Sequence, residues 1–388
     1  MALSLCVAAT AVVGIVAADA GANGATGLPC TTPHGPYLAR TATETYSRPG
    51  MSIHRWTAPG RTNLYVLKAS TVGAKKVKIA PLPGVSVAQR SAVNSRLYHS
   101  RYGLAAINAD FYFWGQSWTP WGPEVLNGVT RKGNASPQDA LVQYRDGHVA
   151  RTKVAMHQII WANGKVIGLD VMNSQNLPAD GVGLYGPLWG NTSRLYLSGS
   201  SRAEEVFVSH DRITRINHEI TTEPRPADGY VLVAQGDGVD RLNKLGPRVG
   251  LKIGKLMSAA TDSTGRRVEE AVGIGLIVIA NGDLHANAAC VADRRVARTV
   301  LGIADGGKTL YVVVCEGIKD NQATGDAGMS LRETAGVMRS LGVRDAMMFD
   351  GGGSAEMSVR HAAHTWQMAR SSDGWQRLVP SILGIFSQ

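Results

Sequence analysis

An apolar segment that runs into a carboxylate, three glycines and a hydroxyl constrains the fold of this chain more than any other feature. Asp345 to Phe349 has the composition of a short buried strand, and Asp350, glycines 351–353 and Ser354 follow it directly. Glycines permit positive φ and leave backbone N–H groups unshielded, so such a turn can hold an anion or let a substrate approach the main chain. Taken alone, the pattern is more typical of an ordinary glycine turn, so its surroundings must decide.

The residues before this turn predict a strand, a helix and a second strand. Leu310 to Cys315 is a buried-strand pattern, and Ser330 with Glu333 forms a capping box that starts a helix. A crossover of this length permits the two strands to pair in parallel. Their carboxyl ends, marked by Glu316 and Asp350, should then lie at the same edge of one sheet.

Short strand patterns dominate the rest of the chain. Residues 141–256 contain many apolar segments broken by turn dipeptides such as Asp146-Gly147, and residues 88–101 have helical spacing. We therefore predict an α+β fold with strand-rich mixed sheets and a few covering helices, in a single large domain. The strands of 141–256 could form a second layer of that domain or a small subdomain.

The amino terminus predicts export. Leu3 to Ala17 is an apolar run too short to span a membrane, and Ala18-Asp19-Ala20 is a small-x-small cleavage pattern, although no Lys or Arg precedes the run. Residues 1–20 are thus a predicted signal peptide, with an uncleaved anchor as the alternative. Residues 21–50 form a predicted linker or N-terminal extension, and 51–388 the catalytic domain. We expect a secreted or cell-surface protein with no membrane span in its mature form.

The cysteine content and the charge of the chain limit which disulfides, metal sites and binding partners are to be expected. Cleavage would leave Cys30, Cys290 and Cys315, which allows one intramolecular disulfide whose pairing the spacing does not choose. No C-x-x-C or H-E-x-x-H occurs, which argues against zinc sites of the usual spacing. The net charge of +10 favours anionic partners, but the basic residues are scattered and no nucleic-acid-binding motif is present. No pattern indicates the oligomeric state.

One segment matches the sequence pattern of a nucleotide-binding loop but lacks the helix that such a loop needs after it. Gly302 to Thr309 fits the P-loop pattern, but a strand pattern follows where the phosphate-binding loop needs a helix. We predict a hairpin turn at Asp305 to Lys308, and no nucleotide hydrolysis.

Four segments place polar residues at the end or start of an apolar strand, and together they resemble the phosphodiester glycosidase family. They are Asn108-Ala109-Asp110-Phe111, Ala297-Arg298-Thr299-Val300-Leu301-Gly302, Cys315-Glu316-Gly317 and Phe349-Asp350-Gly351-Gly352-Gly353-Ser354. The closing Val379 to Gly384 also matches the family pattern. The chain departs from it at Glu316, where Asp is more common, at Ile318, where Arg is frequent, and at Val272-Gly273-Ile274-Gly275, which replaces an element richer in glycine and proline.

The resemblance implies a glycoside hydrolase that cleaves a glycosyl phosphodiester, or a related anionic surface glycan, at the anomeric carbon. Asp110, Glu316 and Asp350 are the candidate nucleophile or general base, and the sequence does not apportion acid and base among them. Arg298 is the candidate phosphate clamp, because a guanidinium suits phosphate oxygens. The full set of candidate substrate-binding residues is Asn108, Arg298, Thr299, Gly351, Gly352, Gly353 and Ser354.

A cluster of tryptophans could belong to the expected site, and the need for a cofactor is a separate point. Trp114, Trp118 and Trp121 crowd one segment and could form a platform for sugar rings or simply pack locally. No cofactor is required by the sequence; a divalent cation that bridges phosphate and carboxylates is compatible with it, and the metal is left unassigned.

Two alternatives remain open. One is an exopolysaccharide hydrolase whose substrate has no phosphate, which the missing arginine at position 318 permits. The other is a non-catalytic glycan- or cell-wall-binding protein that keeps the fold. Three retained carboxylates favour catalysis, since a binder has no need of them.

Overall fold

The computed structural model describes residues 41–57, 63–197, 199–285, 288, 295–317, 328–370 and 372–388. The first strands are β1 (Thr41–Arg48), β2 (Met51–Thr57), β3 (Leu64–Ser70), β4 (Val77–Pro81), β5 (Gly103–Asn108), β6 (Glu124–Leu126), β7 (Val129–Asn134), β8 (Gln138–Gln143) and β9 (Val149–Ala155). The middle strands are β10 (Gln158–Ala162), β11 (Lys165–Gly168), β12 (Val171–Met172), β13 (Val182–Tyr185), β14 (Ala203–Ser209), β15 (Arg212–Asn217), β16 (Gly229–Gln235), β17 (Gly254–Met257) and β18 (Thr261–Asp262). The last strands are β19 (Glu270–Gly273), β20 (Leu276–Ala280), β21 (Asp283–Leu284), β22 (Arg298–Ala304), β23 (Thr309–Cys315), β24 (Asp345–Met348), β25 (Met357–His361), β26 (His364–Ala369) and β27 (Ile382–Ser387).

Helices are few in the described part of the chain. The α-helices are α1 (Val93–Tyr98), α2 (Asp237–Asn243) and α3 (Leu331–Ser340). Short 3-10 turns occupy Pro187–Trp189, Arg194–Leu197, Asp305–Gly307 and Gly352–Ser354. The predicted α+β, strand-rich class is confirmed.

The strands form four sheets. An eight-stranded sheet has the order β1-β2-β3-β23-β22-β24-β20-β21, and a five-stranded sheet the order β26-β25-β5-β27-β4. An eleven-stranded sheet has the order β15-β14-β16-β13-β12-β7-β6-β19-β8-β9-β18, and β11-β10-β17 form a small fourth sheet. The described pairs are antiparallel except β12 with β13, which is parallel. The strands of residues 141–256 therefore belong to the eleven-stranded sheet and the small fourth sheet, and none of them joins the eight-stranded sheet that contains β24.

The central strands of the eight-stranded sheet are buried on both faces. One face shares a core with the five-stranded sheet, where Leu301 and Met347 pack in the same cluster as Ile107 and Leu383. The other face packs against α3. A strand buried on both faces must be apolar throughout, which explains the near-continuous hydrophobic runs in β22, β23 and β24.

The strand–helix–strand prediction is confirmed in part and corrected in part. The capping box is present: Ser330 Oγ accepts the Glu333 N–H at 3.2 Å, and Glu333 Oε2 accepts the Ser330 N–H at 3.0 Å. However, β23 and β24 are not neighbours, because β22 lies between them and is antiparallel to both. Their carboxyl ends do share one sheet edge, about 10 Å apart at the usual strand spacing.

The segment with P-loop letters is a hairpin turn. Asp305–Gly307 forms the turn, and Ala304 pairs with Thr309 across β22 and β23. Strand β22 thus folds back onto β23 first, and α3 then carries the chain over β22 to β24. The predicted parallel pairing of β23 with β24 does not form because β22 occupies the position between them.

The amino-terminal predictions fall mostly outside the described residues. The predicted signal peptide, Cys30 and Cys290 all lie there, so the disulfide and cleavage predictions stay predictions. Cys315 is a free, buried thiol. Strand β1 lies inside the range predicted as a linker or extension and pairs with β2. The helix predicted over 88–101 is confined to α1. In the part of the chain that the structure describes, we find no helix long and apolar enough to cross a membrane.

Two charged side chains of the β25 region hold helix α1 by its ends. The buried Glu356 carboxyl accepts the Asn94 N–H at the start of the helix, and burial raises the pKa of Glu356 to about 7. Arg360 donates to the carbonyl oxygens of Leu97 and, at 2.6 Å, of Ser100 at the helix end. A six-residue helix is too short to be stable alone, so these contacts are expected to carry much of its stability.

We expect Arg360→Met to lower the free energy of unfolding by about 1–3 kcal/mol, because the carbonyl groups at the end of α1 lose a charged donor. Urea unfolding measures the loss. Arg101→Met, at an exposed arginine just after the helix, is the matched control and should change stability by less than about 0.5 kcal/mol. Equal losses in the two variants would contradict the capping role.

Candidate active site

Asn108 ties together three segments that are distant in sequence. Its Oδ1 accepts Thr299 Oγ1 at 2.7 Å and the Glu356 N–H at 3.0 Å, and its Nδ2 donates to the Asp350 carbonyl at 2.6 Å. Asn108 and Thr299 are both fully buried. In this structure the two side chains therefore position the glycine turn, and a contact of either with a sugar stays a prediction.

Asp110 lies in a niche made by two glycines. The Gly122 N–H donates to Asp110 Oδ2 at 2.6 Å, and the Asp110 side chain is 2% exposed. A Cβ on Gly273 would lie 2.3 Å from that same oxygen and 2.6 Å from the Gly122 Cα. Asp110 Oδ1 has no hydrogen-bond partner among the described residues. One carboxyl oxygen is thus fixed by backbone, and the other is left for a proton or a substrate.

Asp350 follows β24 and is joined to the Asp110 segment through the main chain. The Asp350 N–H donates to the Ala109 carbonyl at 2.9 Å, and Asp350 Oδ1 accepts the Gly351 N–H at 2.9 Å. The adjacent Gly352 N–H donates to the Ala297 carbonyl at 2.8 Å. The two carboxylates that the sequence placed in one site are therefore neighbours in the fold.

A side chain would be unfavourable at each glycine of the turn, for a different physical reason at each position. Gly352 has φ of +57°, which disfavours other residues, and a Cβ there would meet open space. A Cβ on Gly351 would lie 2.9 Å from the Ala297 carbonyl oxygen. A Cβ on Gly353 would lie 2.0 Å from the Arg377 guanidinium. The triplet therefore serves a backbone bend and close approach by two neighbours.

A guanidinium borders this turn on the side of Gly353. Arg377 Nη1 donates to Ser354 Oγ at 3.4 Å, while its Nε and Nη2 donate to Asp373 Oδ2 at 3.0 and 2.8 Å. Ser354 and Arg377 also lower the pKa of the Tyr112 hydroxyl, although burial raises that pKa overall. A cation, a hydroxyl and a phenol thus meet beside Asp350.

Aromatic side chains continue from this group towards solvent. Arg377 lies over the Trp114 ring at 5.0 Å, and Trp114 packs edge-on against Trp118 at 5.0 Å between ring centroids. Trp114 is 59% exposed. Trp121 stacks instead on Phe111 at 5.2 Å. The three tryptophans of the sequence therefore divide between an exposed face beside Arg377 and local packing.

Burial raises the pKa of both central carboxyls. The pKa of Asp110 rises to about 7, although the Gly122 N–H and the charge of Lys132 oppose the rise, and the nearby Asp350 charge adds to it. The pKa of Asp350 rises to about 6, against the Ser354 hydroxyl, the Gly351 N–H and Arg377. Two carboxyls with unequal, raised pKa values suit one proton held at Asp110 and a charge at Asp350 near neutral pH.

The other two candidate residues lie at the same sheet edge with partners of their own. Glu316 Oε2 accepts Asn63 Nδ2 at 2.8 Å, and Oε1 accepts the Arg370 N–H at 3.1 Å. Arg298 Nε donates to the Met329 carbonyl at 3.2 Å, on the face of β22 that packs against α3. Among the described residues, no hydrogen bond joins Glu316 to Asp110 or Asp350. Strand β22 separates Glu316 from the Asp350 turn.

Sequence reasoning missed Tyr112, Lys132, Asp373 and Arg377. Asp373 and Arg377 precede the Val379 to Gly384 segment that matched the family pattern, so their position near that segment was the available signal. Lys132 is a lone lysine within a strand, which no local pattern distinguishes from a surface residue. In the described ranges, no group of three or more His, Cys, Asp or Glu side chains could hold a metal ion.

Gly273→Ala should destabilise the protein by about 1–3 kcal/mol, because its Cβ would overlap the Asp110 carboxyl and the Gly122 backbone. Gly273 does not have positive φ, so the cost would come from lost space. Gly336→Ala in α3, where a Cβ meets nothing within 4 Å, should instead stabilise by about 0.5–1 kcal/mol. Thermal unfolding of both variants is the measurement, and a neutral Gly273→Ala would contradict the niche.

Comparison with known proteins supports the family and the fold. The phosphodiester glycosidase family matches residues 204–386, which include Arg298, Glu316, Asp350 and Arg377. No curated protein sequence matches the chain.

Solved structures share the fold at low sequence identity. A hypothetical protein from Synechocystis is 19% identical with a TM-score of 0.70, over 90% of this chain and 64% of that one. A protein from Burkholderia pseudomallei is 19% identical with a TM-score of 0.60, over 84% of this chain and 74% of that one. The catalytic domain of zebrafish N-acetylglucosamine-1-phosphodiester alpha-N-acetylglucosaminidase is 14% identical over 92% of this chain and 86% of that one, with a TM-score of 0.39, too low for a conclusion. The chain thus spans about two thirds of the Synechocystis protein, and these likenesses concern the fold alone.

Proposed function

Because residues 204–386 match the phosphodiester glycosidase family, we propose that the protein is a secreted glycoside hydrolase that cleaves a glycosyl phosphodiester, or a related anionic surface glycan, at the anomeric carbon. The supporting observation is the pair of carboxyls, buried Asp110 and partly buried Asp350, joined through the Ala109–Asp350 backbone hydrogen bond. Asp350 lies inside the matched range and Asp110 outside it. The reaction therefore needs both parts of the chain.

The two carboxyls take different roles in this proposal. Asp110 is the more deeply buried of the two, and the nearby Asp350 charge adds to the rise of its pKa, so it is the general acid for the departing oxygen. Asp350, ionised above about pH 6, attacks the anomeric carbon or activates water there. Glu316 lies with Asn63 and Arg370, where it orients the loop after β26 or meets a distal part of the substrate.

The leaving phosphate is received beside Ser354 in this proposal. Arg377 already donates to Ser354 Oγ, and a guanidinium can form paired hydrogen bonds with phosphate oxygens as their charge grows. The exposed Trp114 face lies next to that cation and suits the apolar face of a sugar ring. Arg298 is the clamp that the sequence suggests, and the structure offers Arg377 as its rival.

One observation favours an exopolysaccharide hydrolase with no phosphate in its substrate. Asp373 accepts hydrogen bonds from Nε and Nη2 of Arg377, so part of the guanidinium charge is balanced within the protein. A neutral glycan would leave that pair intact, whereas a phosphodiester would have to compete with Asp373. A substrate comparison separates the two candidates.

The test is a substrate screen of the purified protein against sugar-1-phosphodiesters, aryl glycosides and cell-wall polymers, with products identified by NMR. We expect release of a free sugar and a phosphomonoester from at least one phosphodiester. The Asp110→Asn/Asp350→Asn double variant is the control and should release neither. Cleavage of neutral polymers alone would favour the exopolysaccharide hydrolase, and binding without any turnover would favour the non-catalytic glycan-binding protein.

Export is a separate part of the proposal and rests on residues 1–20. Expression of the full chain with its own amino terminus, followed by cell fractionation and amino-terminal sequencing, tests it. Recovery of the mature protein outside the cell with residues 1–20 removed is the expected result. Retention of Met1 in the cytoplasm would contradict it.

A further inference from the structure

A lysine with no exposed surface lies behind the Asp110 niche. Lys132, in β7, is 0% exposed, and its Nζ donates to the carbonyl oxygens of Trp121 at 3.0 Å and Gly122 at 2.8 Å. Carbonyl groups satisfy its hydrogen bonds but do not balance its charge. Burying an ammonium group is costly unless an opposite charge lies close by.

Gly122 links this lysine directly to Asp110. Its carbonyl accepts from Lys132, and its N–H donates to Asp110 Oδ2 at 2.6 Å. Gly273 closes the other side of the niche, so the Gly122 backbone has little room to move. The orientation of Asp110 is therefore coupled to the hydrogen bonds of Lys132 through a single residue.

Asp110 is also the carboxylate with which the Lys132 charge is matched. The charged groups that act on Lys132 are Asp110 and Glu124, and those that act on Asp110 are Lys132 and Asp350. Glu124 has a partner of its own, because Arg131 Nε lies 2.5 Å from Glu124 Oε1. Asp350 is on the Arg377 side of the site. Lys132 is thus the buried cation whose charge acts on Asp110, and Gly122 is the residue that connects the two.

We propose that Lys132 is a positioning residue for Asp110: it fixes the carboxyl through the Gly122 peptide, and its charge lets Asp110 release and regain a proton during turnover. This inference rests on the proposed function, because it assigns a role within that site. It does not require Lys132 to touch the substrate.

The direction of the effect follows from charge. Burial raises the pKa of Asp110 to about 7 and lowers that of Lys132 to about 8, and each partner opposes the shift of the other. Without the lysine charge, Asp110 should hold its proton to higher pH. A general acid with a higher pKa stays protonated, and therefore active, up to a higher pH. The alkaline limb of the kcat/KM profile should consequently move to higher pH.

The test compares Lys132→Met and Lys132→Gln with Lys153→Met, a matched control at an exposed lysine of β9. We expect both Lys132 variants to shift the alkaline limb by about one pH unit, as removal of a nearby opposite charge does, with Lys153→Met unchanged. A merely structural lysine would lower the melting temperature and leave the limb in place, and that outcome would overturn the proposal.

A stability cycle tests the inference without any turnover. Lys132→Met, Asp110→Asn and the double variant are unfolded thermally at pH 5 and pH 8. We expect the double variant to lose less stability than the two single losses combined at pH 8, and this difference to shrink at pH 5, where Asp110 is protonated. Additive losses at both pH values would overturn the coupling. A wild type inactive on every substrate, with the coupling present, would count against the proposed function only.

A third measurement covers the case in which the Lys132 variants do not fold. Carboxyl-carbon NMR of the wild type, with Asp110 assigned by comparison with Asp110→Asn, follows its titration directly. We expect the main step near pH 7 and a second inflection near pH 8, as the lysine loses its charge. Titration of Asp110 in one step, with no response near pH 8, would refute the pairing.

Discussion

Asp350→Asn should fold and lose about 10²- to 10⁴-fold in turnover, the range that general acid–base groups typically contribute. The substitution keeps the shape of the side chain and an Oδ1 acceptor for the Gly351 N–H. It removes the negative charge with which Asp350 would attack the anomeric carbon or activate a water molecule there. Steady-state kinetics on the substrate found in the screen measure the loss.

The same variant makes a stability prediction of known sign. Burial raises the pKa of Asp350 to about 6, so the folded wild type loses stability as pH rises through that value. Asparagine does not ionise, so above pH 6 Asp350→Asn should melt at or above the wild-type temperature. An inactive but more stable variant would separate a catalytic residue from a structural one.

Asp345→Asn is the matched control for this experiment. Asp345 is the first residue of β24, the strand that precedes Asp350, and its Oδ1 lies 3.5 Å from Arg151 Nη2. Its turnover should equal that of the wild type. A fully active Asp350→Asn protein would remove Asp350 from the catalytic pair and return the chemistry to Asp110 and Glu316.

Arg377→Ala should reduce kcat/KM for a phosphodiester by about 10²- to 10³-fold, the usual cost of removing a donor that stabilises developing negative charge. The loss should be smaller on an aryl glycoside, whose leaving group carries one oxygen charge and no phosphate. Arg377→Lys should recover only part of the activity, because the two-pronged geometry towards Ser354 and phosphate is lost. Kinetics on the two substrate classes give the comparison.

Arg298→Ala decides between the two candidate clamps. Arg298 donates to the Met329 carbonyl on the α3 face of the sheet, so we expect its loss to act mainly on stability. Arg344→Ala, at an exposed arginine between α3 and β24, is the neutral control. Wild-type kinetics for Arg377→Ala together with a large loss for Arg298→Ala would return the clamp to Arg298.

Local signals in the sequence were enough to predict several parts of the site. The capping box of Ser330 and Glu333 depends on residues three apart, and the Asp350 turn depends on consecutive glycines. Both depend on residues close together in sequence, whose conformational preferences and side-chain hydrogen bonds determine the local structure. The association of Asp110 with Asp350 followed from their places at strand ends and from the family resemblance.

The features that the sequence did not predict depend on pairing between strands that are distant in sequence. The position of β22 between β23 and β24 is set by pairing with both strands along their length, and no short window of sequence near Glu316 specifies it. Lys132 and Arg377 matter only because the fold brings them to Gly122 and Ser354. The glycines at 122 and 273 had no local explanation until the Asp110 carboxyl was seen between them.

The position of β5 has a consequence for how the chain is made. Strand β5 carries Asn108 at its end and lies between β25 and β27, whose residues are synthesised some 250 positions later. A nascent chain therefore holds the Asn108 segment without its sheet partners until β25 and β27 have been made. Pairings between segments so distant in sequence are expected to form slowly, and a chain that stops before β25 cannot assemble the Asn108 contacts.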